Sequence, residues 1–343
     1  MYNKRNFIFL ILFIITLSFA AYGDDKDAAK KNLGITWKQA SISVFDGSRI
    51  YNIVYANGIF VAVGTDTMAY SSNGKTWTEI EVNTSDPDFT ISDITYNVNS
   101  IAYGNGKFIA VGSNGTMAYS NNGKNWTLAK DQDSSIGLTN NLGSLAFGND
   151  RFVIGGRDGA IAYSNNGIDW KKVKNSTFAS DSHIISIAYG NGKFIAGASK
   201  GEMAYSNDGI NWKKVKDSTF GNTCIYHIAY GNGKFVAGGS EGKMAYSNNG
   251  INWKKVKYST FGSNYISSLA YGNGRFVAGG SEGKMAYSNE GINWKKVKNS
   301  TFTNDESLSI KINDIAYGNG KFIAVGDYLG EASGGEIAYS PAD

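Results

Sequence analysis

Short apolar segments separated by glycine- and asparagine-rich turns recur along almost the whole chain. We predict four β-strands in the clearest copy: Tyr226 to Tyr230, Lys234 to Gly238, Lys243 to Ser247 and Asn252 to Lys257. Between the first two strands, Gly231-Asn232-Gly233 supplies the Asn-Gly step that favours a tight hairpin. No helical apolar period follows the N-terminal apolar run. The pattern therefore predicts an all-β protein.

Two short phrases mark each repeat. The first, aromatic-x-x-Gly/Asp-x-Phe, begins at seven positions: Tyr55, Tyr103, Phe147, Tyr189, Tyr230, Tyr271 and Tyr317. The second, Ser-x-Asn/Asp/Glu-Gly-x-x-Trp, ends at six tryptophans: Trp77, Trp126, Trp170, Trp212, Trp253 and Trp294. Successive tryptophans, counted from Trp37, lie 40 to 49 residues apart, which is the period of a four-stranded propeller blade.

The two ends of the array predict how it closes. The seventh copy stops after Gly335 to Ser340, where its tryptophan strand should begin, and Leu33 to Ser41 carries the remaining Trp37. An N-terminal strand that completes the last blade would leave no unpaired blade half. We therefore expect a seven-bladed β-propeller of four-stranded antiparallel blades over residues 33–343, closed by this strand.

The Ser-x-Asn/Asp-Gly-x-x-Trp hairpins resemble Asp-box (BNR) repeats, which occur in bacterial sialidases, sortilin-type receptors and photosystem II assembly-factor propellers. Here the box is one residue shorter than usual, and Asn replaces Asp at four positions: Asn73, Asn122, Asn166 and Asn249. The resemblance implies that the polar side chain folds back on the turn while Trp packs between blades. It implies a fold and carries no activity.

The N-terminus is typical of an exported protein. Lys4 and Arg5 precede an apolar run, and we interpret residues 1–23 as a signal peptide and residues 24–32 as a polar segment. An uncleaved membrane anchor is the alternative. We expect a secreted, periplasmic or cell-envelope monomer without stable membrane insertion after cleavage. The formal net charge of +4, or +2 without Lys4 and Arg5, gives no net attraction to nucleic acid.

The motifs of several chemistries are missing. A sialidase needs an arginine triad and a Phe/Tyr-Arg-Ile-Pro motif, whereas Ser48-Arg49-Ile50-Tyr51 lacks the proline. The glycine-rich runs lie in hairpin turns and do not predict phosphate loops. The single Cys224 and the nearby His183 hold equivalent places in adjacent blades, but two ligands do not make a zinc site. We therefore expect no cofactor, no metal and no enzyme activity.

Two positions of the predicted inner strand are polar. Six residues before each repeat aromatic stand Arg49, Asn97, Asn141, His183, Cys224, Tyr265 and Lys311. Three residues before it stand Asn52, Ser100, Ser144, Ser186, His227, Ser268 and Asp314. We interpret the second set as side chains that approach the crowded propeller axis. An axial ion or ligand site is the alternative.

Four Trp-Lys-Lys-Val-Lys segments place twelve lysines on consecutive outer strands. Lysine commonly protects exposed strand edges, and we interpret this set first as a solvated rim. A basic flank for an anionic glycan is the alternative.

The connections that follow the outer strands vary in length and content, which indicates a binding face. We predict a non-catalytic propeller that binds an envelope or extracellular protein or glycan on that face. The predicted site centres on Tyr328 as its apolar anchor, with six further residues: Arg49, Lys311, Glu331, Asp327, Tyr265 and His183. The alternative is a glycoside hydrolase or lyase that uses carboxylates such as Asp314, Asp327 and Glu331.

The phrase Ser-Thr-Phe recurs after the lysine segments of the near-identical blades, at Phe178, Phe220, Phe261 and Phe302. We predict that its phenylalanine anchors the loop under the blade face. Repeated shallow lectin sites are the alternative.

Overall fold

The computed structural model describes residues 32–41, 43–45, 47–80, 98–112, 115–128, 142–303, 309–329 and 335–341. The predicted signal peptide lies outside these ranges. Within the described part of the chain, no helix has the length and apolar character that a membrane crossing requires.

The described strands form seven four-stranded antiparallel sheets. The inner strands are β2 (Ile50–Ala56), β6 (Val98–Gly104), β10 (Leu142–Gly148), β14 (Ile184–Gly190), β18 (Ile225–Gly231), β22 (Ile266–Gly272) and β26 (Ser309–Gly318). The second strands are β3 (Ile59–Gly64), β7 (Lys107–Gly112), β11 (Arg151–Gly156), β15 (Lys193–Ala198), β19 (Lys234–Gly239), β23 (Arg275–Gly280) and β27 (Lys321–Leu329). The third strands are β4 (Met68–Ser71), β8 (Met117–Ser120), β12 (Ile161–Ser164), β16 (Met203–Ser206), β20 (Met244–Ser247), β24 (Met285–Ser288) and β28 (Gly335–Ser340).

The outer strands are short: β5 (Thr78–Glu79), β9 (Thr127–Leu128), β13 (Lys171–Lys172), β17 (Trp212–Lys214), β21 (Lys254–Lys255), β25 (Lys295–Lys296) and β1 (Lys38–Gln39). One-turn 3-10 segments cover Ser43–Phe45, Ser199–Gly201, Ser240–Gly242, Ser281–Gly283 and Thr301–Thr303. We number the blades from one to seven by their inner strands, so that β26 belongs to blade seven.

The predicted seven-bladed propeller and its closure are confirmed. β1 pairs with β28 in blade seven, where Lys38 lies opposite Tyr339 and Gln39 opposite Ala338. Each inner strand contacts the inner strands of the neighbouring blades, and β2 contacts β26. The inner strands therefore surround the propeller axis.

The two faces of the propeller differ in their connections. On the lower face, Asn232 and Gly233 both have positive φ, 46° and 72°, as the predicted Asn-Gly hairpin requires. The upper face carries the connection from each second strand to its third strand. It also carries the connection from each outer strand to the next blade, because the strands are antiparallel. The start of every inner strand lies at this upper face.

Seven hydrophobic clusters hold adjacent blades together. The cluster between blades four and five contains Ile195 and Met203 of one blade and Phe235 and Trp253 of the next. The other tryptophans occupy equivalent clusters. The predicted packing of tryptophan between blades is confirmed, and its burial supplies much of the driving force for ring assembly.

The Asp-box-like turns have the predicted geometry. In blade four, the Asp208 Oδ1 accepts hydrogen bonds from the N–H of Ile210 at 2.9 Å and from the N–H of Asn211 at 2.8 Å. The Trp212 Nε1 donates to the Gly209 carbonyl at 3.1 Å. Although partial burial opposes ionisation, the hydrogen bonds from Asn211, Ile210 and Ser206 lower the pKa of Asp208 to about 2. The box residue therefore stabilises the turn.

Three of the four Ser-Thr-Phe segments bury their phenylalanine as loop anchors, as predicted, whereas Phe178 is only partly buried against the cluster between blades three and four. Phe220, Phe261 and Phe302 are at most 2% exposed and belong to the inter-blade clusters. Two residues before Phe220, the Ser218 Oγ donates to the Gly201 carbonyl at 2.6 Å. Gly201 lies in the connection between the second and third strands of the same blade. Because these phenylalanines are buried, they present no surface for repeated sugar sites.

Candidate functional site

The upper ends of blades five, six, seven and one form the candidate site, and among the described residues blade seven extends furthest there. In the other blades, the pairing of the first two strands stops at a pair such as Ile225 with Gly239. In blade seven, β26 and β27 pair for three more residues, with Lys311 opposite Asp327 and Ile310 opposite Tyr328. The second strand of blade seven, β27, accordingly continues to Leu329. This extension places the side chains of Lys311 and Asp327 at the upper end of blade seven, above the ends of the other inner hairpins.

Asp327 lies at the centre of this group. Its side chain is 4% exposed, and its Oδ2 lies 3.7 Å from the Arg49 Nε of blade one. The Asn313 Nδ2 donates to the other carboxylate oxygen and also to the Ile50 carbonyl at 2.7 Å. Burial raises the pKa of Asp327, while the Asn313 hydrogen bond and the charges of Lys311 and Arg49 oppose this shift.

Two tyrosines of the preceding blades complete the group. The Lys311 Nζ lies 5.9 Å from the ring centroid of Tyr265, and that ring meets Tyr226 edge-on with centroids 5.6 Å apart. Burial lowers the pKa of Lys311 while the charge of Asp327 opposes it, and burial raises the pKa of Tyr265. We call Arg49, Tyr226, Tyr265, Lys311 and Asp327 the mouth cluster.

Tyr328 lies on the other side of β27. Adjacent strand residues point to opposite faces, and Tyr328 packs against the hydrophobic cluster between blades six and seven. Its hydroxyl donates to the Glu336 Oε1, and the Gln39 Nε2 of the closing strand donates to the other oxygen of Glu336. The structure therefore places Tyr328 in the blade-seven framework and away from the mouth cluster.

Of the other predicted residues, His183 is not in this cluster. It immediately precedes the inner strand of blade four, three blades away from blade seven, and its pKa is lowered by burial and by the charge of Arg157. Its Nε2 is buried and has no hydrogen-bond partner among the described residues. Glu331 lies outside the described residues. Of the predicted site, the structure brings together Arg49, Tyr265, Lys311 and Asp327.

Lower along the axis, the second set of polar residues links the inner strands. Five of its seven side chains accept a hydrogen bond from a backbone N–H of the next blade: Asn52 from Ile101, Ser100 from Leu145, Ser144 from Ile187, Ser186 from Ile228, and Asp314 from Ile53. We call this set the axial girdle. It explains why the sequence keeps small polar residues at this position.

Asp314 and His227 are the two titratable members of the girdle. Besides the Ile53 N–H, the Asp314 carboxylate accepts hydrogen bonds from Asn52 at 2.7 Å and Ser268 at 3.1 Å. The His227 Nε2 lies 3.7 Å from Asp314 Oδ1, and its Nδ1 has no partner among the described residues. Burial raises the pKa of Asp314, and the nearby His227 lowers it. Burial lowers the pKa of His227, and Asp314 opposes that shift.

Sequence reasoning missed Tyr226 and Asn313. Both lie at a β-bulge where the inner strand shifts register, between Ile225 and His227 in blade five and between Ile312 and Asp314 in blade seven. A bulge inserts one residue and re-aims its side chain. The bulge residue differs from blade to blade, so a repeat motif does not reveal it.

Among the described residues, no group of three or more His, Cys, Asp and Glu side chains could hold a metal ion. Cys224 is a free, partly buried thiol.

No protein-family model matches the chain, and no curated protein does. Solved structures do match. YCF48 from Cyanidioschyzon merolae is 18% identical with a TM-score of 0.63, and the match covers 89% of this chain and 98% of that one. A structure described as YCF48 bound to D1 peptide is 16% identical with a TM-score of 0.64 and covers 89% and 94%. These likenesses show the fold alone.

An enzyme also shares this fold. The GH74 enzyme of Niastella koreensis is 17% identical with a TM-score of 0.60, and the match covers 87% of this chain and 44% of the enzyme. The same architecture therefore occurs in a peptide-bound protein and in a glycoside hydrolase, and the fold does not decide between binding and catalysis.

Proposed function

We propose that the chain is an exported, non-catalytic propeller that binds an extended, acidic segment of another protein at the mouth cluster. The observation that carries the proposal is the uneven exposure of its charges. The Arg49 side chain is 47% exposed, whereas the Asp327 side chain beside it is 4% exposed. A ligand that approaches the upper face therefore meets the cation first.

The tyrosines give the cluster an apolar floor. Tyr226 and Tyr265 are half-buried and stacked edge to face, so they offer rigid contact area at a low cost in side-chain entropy. Lys311 lies over one of these rings. Carboxylates of the ligand would pair with Arg49 and Lys311, while an apolar side chain would rest on the tyrosines.

The hydrogen bonds of the two carboxylates support the non-catalytic part of the proposal. Asp314 accepts hydrogen bonds from Asn52 and Ser268 and from the N–H groups of Ile53 and Ile315. Asp327 is fixed by Asn313 and Arg49. Both acids therefore have structural partners, whereas a glycoside hydrolase needs a carboxyl group that reaches the scissile bond. The peptide-bound YCF48 structure also supports protein recognition by this fold.

A fluorescent peptide library of fixed length, in which acidic, neutral and basic members share the same aromatic positions, tests the proposal. We expect the acidic members to bind. The substitution Arg49→Ala combined with Lys311→Ala should weaken binding at least about tenfold, which corresponds to ~1.4 kcal/mol. Arg157→Ala is the matched control, because Arg157 is an exposed arginine of the upper face near His183.

Two tyrosine variants separate the mouth cluster from the blade framework. Tyr265→Ala should weaken peptide binding and leave the melting temperature nearly unchanged. Tyr328→Phe should leave binding unchanged and lower stability by roughly 1–2 kcal/mol, because the buried Glu336 loses a donor. Equal losses for Arg157→Ala and the mouth variants, or glycan binding without peptide binding, would contradict the proposal.

A further inference from the structure

The outer strands of blades three to six carry an unusual density of positive charge. Each contains the sequence Trp-Lys-Lys-Val-Lys, in which the tryptophan and valine are buried and all three lysines are exposed. The twelve side chains, which we call the lysine belt, are Lys171, Lys172, Lys174, Lys213, Lys214, Lys216, Lys254, Lys255, Lys257, Lys295, Lys296 and Lys298.

Few lysines of the belt are paired with an acid. Among the described residues, one belt lysine forms an ion pair, Lys214 with Glu202 at 3.3 Å. Lys257 instead lies over the ring of Tyr258, 5.1 Å from its centroid. Because the formal net charge of the whole chain is only +4, this concentration is local and makes one side of the rim strongly positive.

Protection of strand edges does not account for the belt. The equivalent outer strands of blades one, two and seven are Thr78–Glu79, Thr127–Leu128 and Lys38–Gln39. These three edges are equally short and pair with their blades in the same way, although none has adjacent lysines. Lysine at all three exposed positions of this segment in four consecutive blades is therefore more than the protection of strand edges requires.

The shape of the belt selects the kind of partner. Four of seven blades in a ring cover more than half of its circumference, so the belt is a convex arc. A flat anionic membrane would touch one or two blades at a time, whereas a flexible chain could follow the arc. Duplex DNA is stiff on this scale. Single-stranded nucleic acid binds on exposed aromatic platforms, and among the described residues the exposed large apolar side chain is Tyr258 alone.

A cleft lies at one end of the belt, between blade six and the closing strand. It has a volume of about 390 Å³ and is lined by Ile35, Thr36, Trp37, Tyr287, Lys296, Lys298 and Asn299. Two belt lysines border an aromatic wall there, and the volume lies within the ~300–1,000 Å³ range of small-ligand sites. The cleft could hold one sugar unit while the neighbouring units follow the lysines.

We propose that the lysine belt binds a flexible, linear acidic polysaccharide along the rim, with one sugar unit in the terminal cleft. The surface is distinct from the mouth cluster, so the upper face stays available for a protein ligand. Binding is predominantly electrostatic and releases counterions, and it therefore weakens steeply as salt rises.

The test uses heparin and polygalacturonate as sulfated and carboxylated probes, titrated at several salt concentrations. Single-stranded DNA, polyphosphate and phosphatidylglycerol vesicles serve as rival ligands. We expect both polysaccharides to bind. The fourfold variant Lys254→Gln, Lys255→Gln, Lys295→Gln and Lys296→Gln should weaken binding at least about tenfold and reduce the salt slope by roughly one for each lost contact.

Two controls keep the test decisive. The matched variant Lys107→Gln, Lys193→Gln, Lys234→Gln and Lys321→Gln removes the same charge from the lower-face hairpins and should leave affinity within about twofold. Arginine at the four belt positions keeps the charge and should restore binding. Equal losses in both glutamine variants, salt-independent binding, or preference for DNA, polyphosphate or vesicles would overturn the proposal.

Discussion

At the scale of single residues, the glycine that ends an inner strand sets the distance between blades. A Cβ atom built on Gly231 would lie 2.0 Å from Cγ of Tyr271 in the next blade. The same contact recurs around the ring, and at closure Gly318 faces Tyr55 at 2.0 Å. At these positions the missing side chain leaves room for the aromatic ring of the next blade to lie close to the strand, and blade one alone carries an alanine there.

Gly231→Ala should therefore destabilise the protein by roughly 1–3 kcal/mol or more, because the added methyl group must displace a packed aromatic ring. Ala56 stands at the equivalent position of blade one, and Ala56→Gly should cost less than about 1 kcal/mol. Urea denaturation of both variants measures the effect. Similar small losses in the two variants would show that the next blade adjusts to the methyl group.

At the scale of the element, the inner strands carry a linked set of side chains whose charge depends on pH. His227 and His183 are the two histidines of the chain, and burial lowers the pKa of each. The unfolded chain therefore binds protons more readily, and stability should decline as pH falls below about 6.5. The raised pKa of Asp314 acts in the opposite direction, because the folded carboxyl takes up its proton first.

The variant His227→Gln isolates the histidine contribution. Between pH 7 and pH 5, its free energy of unfolding should fall less than that of the unaltered protein, measured by urea denaturation at each pH. His183→Gln should reduce the remaining decline, since that histidine lies in another blade. Parallel stability curves for the unaltered protein and His227→Gln would mean that the imidazole charges without cost inside the girdle.

The elements also show which features a sequence reveals. The repeated aromatic and Asn-Gly positions predicted the strands, and Tyr226 to Tyr230 was extended by only one residue at each end, to Ile225–Gly231. The outer strand was predicted too long, because pairing covers only Lys254–Lys255 of the segment from Asn252 to Lys257. It was harder to predict which side of the strand each side chain faces. Tyr328 was expected at a binding surface, but pairing continues through Leu329, and this pairing turns Tyr328 toward the core and Asp327 toward Arg49.

Bulges limit the prediction of the site for a related reason. Asn313 is the residue inserted at the bulge between Ile312 and Asp314, and its side chain donates a hydrogen bond to Asp327. Its identity follows from no repeat rule, since the equivalent residue of blade five is Tyr226. The repeated framework is thus encoded many times in the sequence, whereas the mouth cluster depends on single residues that meet only after the ring has closed.

At the scale of the whole molecule, stability depends on joining the two ends of the described propeller. Beyond the β1–β28 pairing, the Ala40 N–H donates to the Ile337 carbonyl at 2.9 Å, and the Gly34 N–H donates to the Ser340 Oγ at 2.5 Å. Trp37 and Leu33 are buried in the cluster between blades six and seven. The closing strand thus provides both an edge and part of a core.

Removal of residues 24–41 should therefore expose the edge of β28 and one face of the last cluster, and thermal unfolding should become less cooperative. Trp37→Ala alone should cost about 3–5 kcal/mol, because it leaves a cavity between two blades. Lys38→Ala is the control, since Lys38 is exposed and pairs with β28 through its backbone, and it should change stability by less than ~0.5 kcal/mol. Calorimetry decides the matter. An unchanged melting transition after the deletion would mean that six complete blades and three strands of the seventh hold the ring without its closing strand.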